Sequence, residues 1–206
     1  MVTPGASPGV WSELSRTILT GTSDTIDSGT IDVKDNLLIL CHTISGATTV
    51  TGNFRYNGVS AADYARRNSQ NGSSDGTGVN QTQIIAGWGE TGEDTFVVAW
   101  VRNTTGEEKQ TLINLNANGT NGAGNAPNRR EVAGKWADTS APITSVQLEN
   151  SDGGDFQADS EMIVLGYSPG DTPTAFFEEL ASVELGSAGT IDTGTFSTKN
   201  FYGLNF

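Results

Sequence analysis

The sequence predicts an all-β chain: an antiparallel β-sandwich with a C-terminal β-hairpin extension that repeats the N-terminal motif. Apolar residues recur with a period of two and seldom with a helical one. Gly, Asn and Asp breakers separate these runs at short intervals. The octet TIDSGTID (25–32) returns as TIDTGTFS (190–197).

The repeat extends on both sides of the octet. WSELSRTIL (11–19) returns as FEELASVEL (177–185), and Lys34 returns as Lys199. WSELSR has the composition for a helical turn, but the alternation in the following RTILTGTSDTIDSGTI favours strands, so both copies are read as β-hairpins. LLILCHTI (37–44) is an apolar run that buries Cys41 as a small thiol and holds His42 in a structural place. Asn57-Gly58 suits a tight hairpin, whose central residues need positive φ. Stretches 68–80 and 116–129, rich in Gly and Asn, read as long loops, either binding surfaces or tolerated insertions.

FVVAWVRN (96–103) places Phe96, Val98 and Trp100 on one face and Val97, Ala99 and Val101 on the other. With both faces apolar it reads as a strand buried on both sides, and Trp100 as core. TLINLNAN (111–118) sets Ile113 and Leu115 against Leu112. ITSVQLEN (143–150) alternates Ile143, Ser145 and Gln147 against Thr144, Val146 and Leu148, and EMIVLGY (161–167) is rich in β-branched residues. This gives about ten strands before Tyr167. YSPGDTPTAF (167–176) then reads as a linker. The predicted organisation is an arm (1–9), a sandwich (10–166), the linker (167–176) and a partial second repeat (177–206).

The spacing of the two copies is far beyond the roughly 20–50-residue period of solenoids, which points to duplication of a domain unit. An isolated hairpin is marginal in water and its edge invites pairing. The second copy therefore packs across its own sheet, is donated to a neighbouring subunit, or is a remnant. Its candidate assembly contacts are Phe177, Leu180, Leu185, Ile191, Phe196 and Phe201, together with Arg129 and Arg130 of the sandwich.

Acidic residues outnumber Lys and Arg by 24 to 11, a net charge of −13, so a polyanion is repelled and nucleic acid is excluded as a partner. No apolar stretch approaches the roughly 20 residues of a membrane helix. The start MVTPGASPGVW lacks the basic and apolar regions of a signal peptide, which predicts folding in a cytoplasm. A single Cys cannot form an internal disulfide, and a single His cannot build a His-based metal cluster.

Paired carboxylates at Glu107-Glu108, Asp152 with Asp155, Glu90 with Glu93-Asp94 and Glu178-Glu179 could in principle serve glycoside hydrolysis, but their turn-like settings read as solvated charge. No cofactor is expected. Ca²⁺ near Asp152, Asp155 and Asp159 is physically allowed, with Gly153-Gly154 freeing backbone carbonyls, although the spacing matches no EF-hand. Candidate glycan contacts are Trp88, between two glycines, and Trp136, near Arg129, Arg130 and Lys135. Those cations either anchor a long loop or meet an acidic neighbouring subunit.

ITSVQLENSDGGDFQADSEMIVLGY (143–167) resembles the closing strand pair of jelly-roll domains in bacteriophage structural proteins, with Asp155-Phe156 and Ser160 in the matching places and Asp159 where a glycine is common. NFRYNGVSAADYARRNSQNG (53–72) and NAPNRREVAGKWADTSAPIT (125–144) likewise resemble domains repeated in marine phage virion proteins. The resemblance implies a jelly-roll fold and a non-enzymatic virion structural protein, a capsid decoration or tail-fibre component. It implies as partners other copies of itself, further virion proteins and a host surface glycan. The alternative is a carbohydrate-binding or receptor-binding module on the same kind of sandwich.

Overall fold

A computed structural model describes residues 11–87 and 92–169, with Asp171 and Thr195 beyond them. Every regular element among these residues is a strand. In chain order they are β1 (Ser12–Ile18), β2 (Thr25–Asp27), β3 (Asn36–Ile44), β4 (Gly52–Tyr56), β5 (Tyr64–Gln70), β6 (Gly76–Gln81), β7 (Ile84–Ile85), β8 (Asp94–Arg102), β9 (Lys109–Ala117), β10 (Asn128–Trp136), β11 (Val146–Asn150) and β12 (Glu161–Tyr167).

The strands form two antiparallel sheets. The larger has the order β1-β12-β3-β8-β9-β10-β5-β6, the smaller β2-β11-β4-β7. Their pairings are nested along the chain: β1 with β12, β2 with β11, β3 with β8, and β4 with β7. Two further ladders, β12 with β3 and β11 with β4, join these pairs side by side. β5–β6 is inserted between β4 and β7, and β9–β10 between β8 and β11. The two insertions meet at the β10–β5 ladder and widen the large sheet.

Side-chain period explains the layering. β9 alternates perfectly, burying Lys109, Thr111, Ile113, Leu115 and Ala117 and exposing the residues between. β12 instead buries every residue from Glu161 to Gly166, as a strand covered on both faces does. The main core lies between the sheets, where Leu37, Ile39, Cys41, Val97, Ala99 and Val164 of the large sheet meet Ile26, Phe54, Val146 and Leu148 of the small one. Under the inserted strands the core becomes aromatic. Trp136 stacks on Tyr64 with ring centroids 6.2 Å apart, and lies 6.1 Å from Tyr56 of the small sheet.

Several sequence expectations are corrected. The N-terminal copy of the repeat is not a hairpin: β1 and β2 lie in different sheets, so 19–24 is a crossover between layers. Asn57 and Gly58 both take positive φ, at 54° and 66°, and close a tight turn in which the Val59 amide donates to the Tyr56 carbonyl. That turn sends the chain from the small sheet to the large one and does not pair β4 with β5. The stretch 68–80 is a hairpin, its reversal at Asn71-Gly72 with φ of 48° and 75°. β8 is buried on one face only. The second copy, 177–206, lies outside the described residues apart from Thr195.

Candidate functional site: a groove on the outer face of the large sheet

The face of the large sheet turned away from the small one carries a groove of about 740 Å³. Strand register builds it from two adjacent rows. One row runs Tyr167, Asn36, Arg102, Gln110, Lys135 and Ala65 across β12, β3, β8, β9, β10 and β5. The next runs Trp100, Leu112, Ala133, Arg67 and Thr77 across β8, β9, β10, β5 and β6. The floor is therefore a polar row beside an apolar one. Trp11 stands at one end, edge-on to Tyr167 with ring centroids 4.9 Å apart, and Val79 stands at the other.

Large apolar groups on this floor remain open to solvent: Trp100 is 44% exposed, Leu112 60% and Val79 68%. An exposed apolar patch with polar neighbours is the ordinary mark of a contact surface. Three cations of the groove form ion pairs. Lys135 Nζ lies 2.7 Å from Glu108, Arg67 Nη1 3.2 Å from Asp75 and Arg102 Nε 3.3 Å from Glu107. These pairs fix long side chains along the walls, and solvent screening leaves each worth little in stability. Chemically the groove offers a flat indole plate flanked by N–H and O–H donors, suited to an amphipathic ring or chain.

The residues singled out in the sequence are dispersed. Trp136 is 1% exposed and serves the core. Its proximity to basic residues in sequence is undone by alternation, which turns Lys135 outward and Trp136 inward. Arg130 is 8% exposed on the inner face, where Nη1 donates to the Gly87 carbonyl at 2.9 Å and Nη2 to Gln70 Oε1 at 2.5 Å. Burial, and then the neighbouring Arg66 charge, lower its guanidinium pKa. Arg129 is exposed and pairs with Glu131 at 2.5 Å. Trp88, Phe177, Leu180, Leu185, Ile191, Phe196 and Phe201 lie outside the described residues.

Trp100 is the corrected residue. Both faces of FVVAWV are apolar, which suggests burial on both sides, yet no described layer covers the outer face at Trp100. The available signal lay in β9, where the outward partners of this strand are Leu112, Asn114 and Asn116, two of three polar.

Among the described residues no group of three or more His, Cys, Asp or Glu is placed to hold a metal ion. Asp152, Asp155 and Asp159 are all exposed. The Asp155 carboxyl is raised above its usual range by a hydrogen bond shared with the Asp24 carboxyl. Cys41 is fully buried, and loss of solvation, aided by the Glu161 carboxylate, pushes its thiol pKa up, away from reactive thiolate. His42 projects from the outer face opposite Phe96 and Glu161, beyond the groove. No family model, curated protein or solved structure matches the chain.

Proposed function

We propose that the chain is a non-enzymatic virion structural protein, a capsid decoration or tail-fibre component that acts through self-assembly and surface display. The observation that carries this reading is the nested strand order. Four nested pairs, joined side by side by the β12–β3 and β11–β4 ladders, support reading the strand order as an eight-strand jelly roll, a long hairpin rolled into two facing sheets. β5–β6 and β9–β10 are then insertions in that roll. Jelly rolls recur in viral capsid and lectin domains, where edges and outer faces make the contacts. The route from fold to role is analogy, supported by the sequence resemblance of 143–167.

The test is assembly of the whole purified chain, followed by light scattering and electron microscopy across a concentration series. Defined oligomers or particles support the structural reading. A chain that stays monomeric at every concentration and decorates no particle overturns it.

One observation favours a second reading, contact with a host surface glycan: Trp100 is an exposed indole set among donors. A sugar ring stacked on Trp100, with hydroxyls reaching Gln110 and Lys135, would use the groove as lectins use an aromatic platform. A glycan array run with the native chain and with Trp100→Ala tests it. Signals absent from the native chain, or unchanged by the substitution, remove this reading.

A further inference from the structure

The sequence holds four Asn-Gly pairs, at 57–58, 71–72, 118–119 and 121–122. Asparagine is a thermolabile residue. The backbone nitrogen of the residue that follows can attack the side-chain Cγ, and a glycine, having no Cβ, leaves that approach open. The fold treats the four pairs differently. At Asn57, Oδ1 accepts from the Thr144 amide at 2.7 Å, the Ser145 amide at 3.1 Å and the Thr144 hydroxyl at 3.2 Å, while Nδ2 donates to the Pro142 carbonyl at 2.8 Å. At Asn71, Oδ1 accepts from the Arg129 amide at 2.8 Å and Nδ2 donates to Asn128 Oδ1 at 2.9 Å. Asn118 Oδ1 accepts from the Asp94 amide at 3.1 Å. Asn121 is the exception. Every residue from 120 to 127 is exposed, and the Asn121 backbone carbonyl accepts from Asn125 Nδ2 at 3.0 Å, but the Asn121 side-chain amide has no hydrogen bond among the described residues. The glycine beside it is equally open. A Cβ at Gly122 would meet nothing within 4 Å, whereas one at Gly58, Gly72 or Gly119 would lie 3.8, 3.9 or 3.5 Å from a side-chain atom.

We propose that Asn121-Gly122 is a site of spontaneous covalent modification in the folded protein, where Asn121 is converted to aspartate and isoaspartate while Asn57, Asn71 and Asn118 persist. The inference stands apart from the virion reading. The Gly122 nitrogen bonds to Asn121 Cγ, the Cγ–Nδ2 bond breaks, and Nδ2 leaves as ammonia with the proton that the Gly122 nitrogen gives up, which closes a succinimide. Water, the sole co-reactant, then opens the ring. Cleavage between Cγ and the Gly122 nitrogen restores the normal backbone with an aspartate side chain; cleavage between the Asn121 carbonyl carbon and that nitrogen leaves the chain running through Cγ as isoaspartate. Either product adds one negative charge to the tip of a chain whose net charge is already −13. The fold sets the rate through the freedom of the amide to swing onto the backbone. Each hydrogen bond of ordinary strength that must open first lowers the reactive population roughly two- to tenfold.

Timed incubation of the purified full chain in mildly alkaline buffer, followed by trypsin digestion and fragment-ion mass spectrometry, measures conversion at each pair. The tryptic peptide 110–129 carries both Asn118 and Asn121, so those two are compared within one species. In the native chain Asn121 should convert at least about threefold faster than Asn118, and about tenfold or more faster than Asn57 and Asn71. In urea, with the holding hydrogen bonds gone, the rates at the four sites should draw within about threefold of one another. A native rate at Asn121 no greater than at any other pair overturns the inference, and so does a lead of Asn121 that persists undiminished in urea, since the fold would then not be its cause. Native Asn121 that stays intact over an interval in which the unfolded chain converts also refutes it. Isoelectric focusing gives a second readout. The native chain should accumulate a more acidic species with time, and Asn121→Gln, an exposed and conservative substitution, should suppress it; an acidic species that forms as fast in Asn121→Gln assigns the chemistry elsewhere and refutes the site.

Discussion

Trp136→Ala separates a structural indole from a binding one. Trp136 is 1% exposed, stacked on Tyr64 and adjacent to Tyr56, so it ties the inserted strands to the small sheet. Truncating a buried Trp to Ala costs about 3–5 kcal/mol through lost burial and the cavity left behind. The two aromatic contacts contribute roughly 0.5–1.5 kcal/mol each beyond area, so the upper part of that range applies. A domain of this size has about 5–15 kcal/mol in total, and with a urea m-value near 2 kcal/mol/M the midpoint should fall by about 2 M. Far-UV circular dichroism in urea reads the change without relying on Trp emission. Should the Ala variant be unfolded from the start, Trp136→Phe retains a ring and should lose about 1–2 kcal/mol. Trp100→Ala, on the open face, should lose about 1 kcal/mol or less. A loss below about 1 kcal/mol for Trp136→Ala, or a larger loss for Trp100→Ala, would refute the division of roles between the two indoles.

Other outcomes follow from the same coordinates. Gly154→Ala should destabilise by about 1–3 kcal/mol, because a Cβ there would sit 2.6 Å from the Thr48 carbonyl oxygen and 2.8 Å from that of Thr49, and backbone has little room to retreat; thermal melting reads it, and an unchanged midpoint contradicts the close approach. Cys41 should resist Ellman's reagent in the native state and react on unfolding in urea, with rapid native reaction counting against its burial. Asp138 accepts hydrogen bonds from the Ser140 hydroxyl, the Ala141 amide and the Ser140 amide, which hold its carboxyl below the usual carboxylate range. A depressed folded-state pKa adds stability above the unfolded value of 3.8 and loses it as pH falls through the folded one. Melting temperatures of the native chain and Asp138→Asn should therefore converge in acid, and a gap that widens in acid would reverse the sign.

Legibility of the fold tracked how local each decision is. The faces of β9 are plain in TLINLNAN, because Ile113 and Leu115 alternate with Leu112 and Asn114 and only one set is consistently apolar. The positive φ at Asn57 and Gly58 was equally readable, since it depends on those two residues alone. Which strands pair was not. Nothing near Asn57 states that β4 belongs with β11 and β7, and nothing in 11–32 states that β1 and β2 part into separate layers. The hairpin of β5 and β6 was hidden by its own composition, as GTGVNQ has one apolar side chain beyond glycine and Val79 is exposed. For the candidate site, apolarity on both faces of FVVAWV predicts a cover on both and so a buried Trp100. Outward side chains at β12 and β3 are buried and those at β8 and β9 are open, a difference that the residues of FVVAWV do not encode.

The pairing of the first described strand with the last has a bearing on how the molecule is made. Ser12 and Gly166 are neighbours across a ladder, and β2 likewise waits for β11. During synthesis neither sheet has its full complement of hydrogen bonds until almost the entire sandwich has left the ribosome, so the emerging N-terminal half holds raw strand edges for many seconds at roughly 5–20 residues per second. Folding should be slow and late, in keeping with long-range pairing throughout. A circular permutant that joins the Trp11 and Tyr167 ends and opens the chain at the exposed 118–127 tip would bring β1 and β12 together at birth, and should shorten that vulnerable interval.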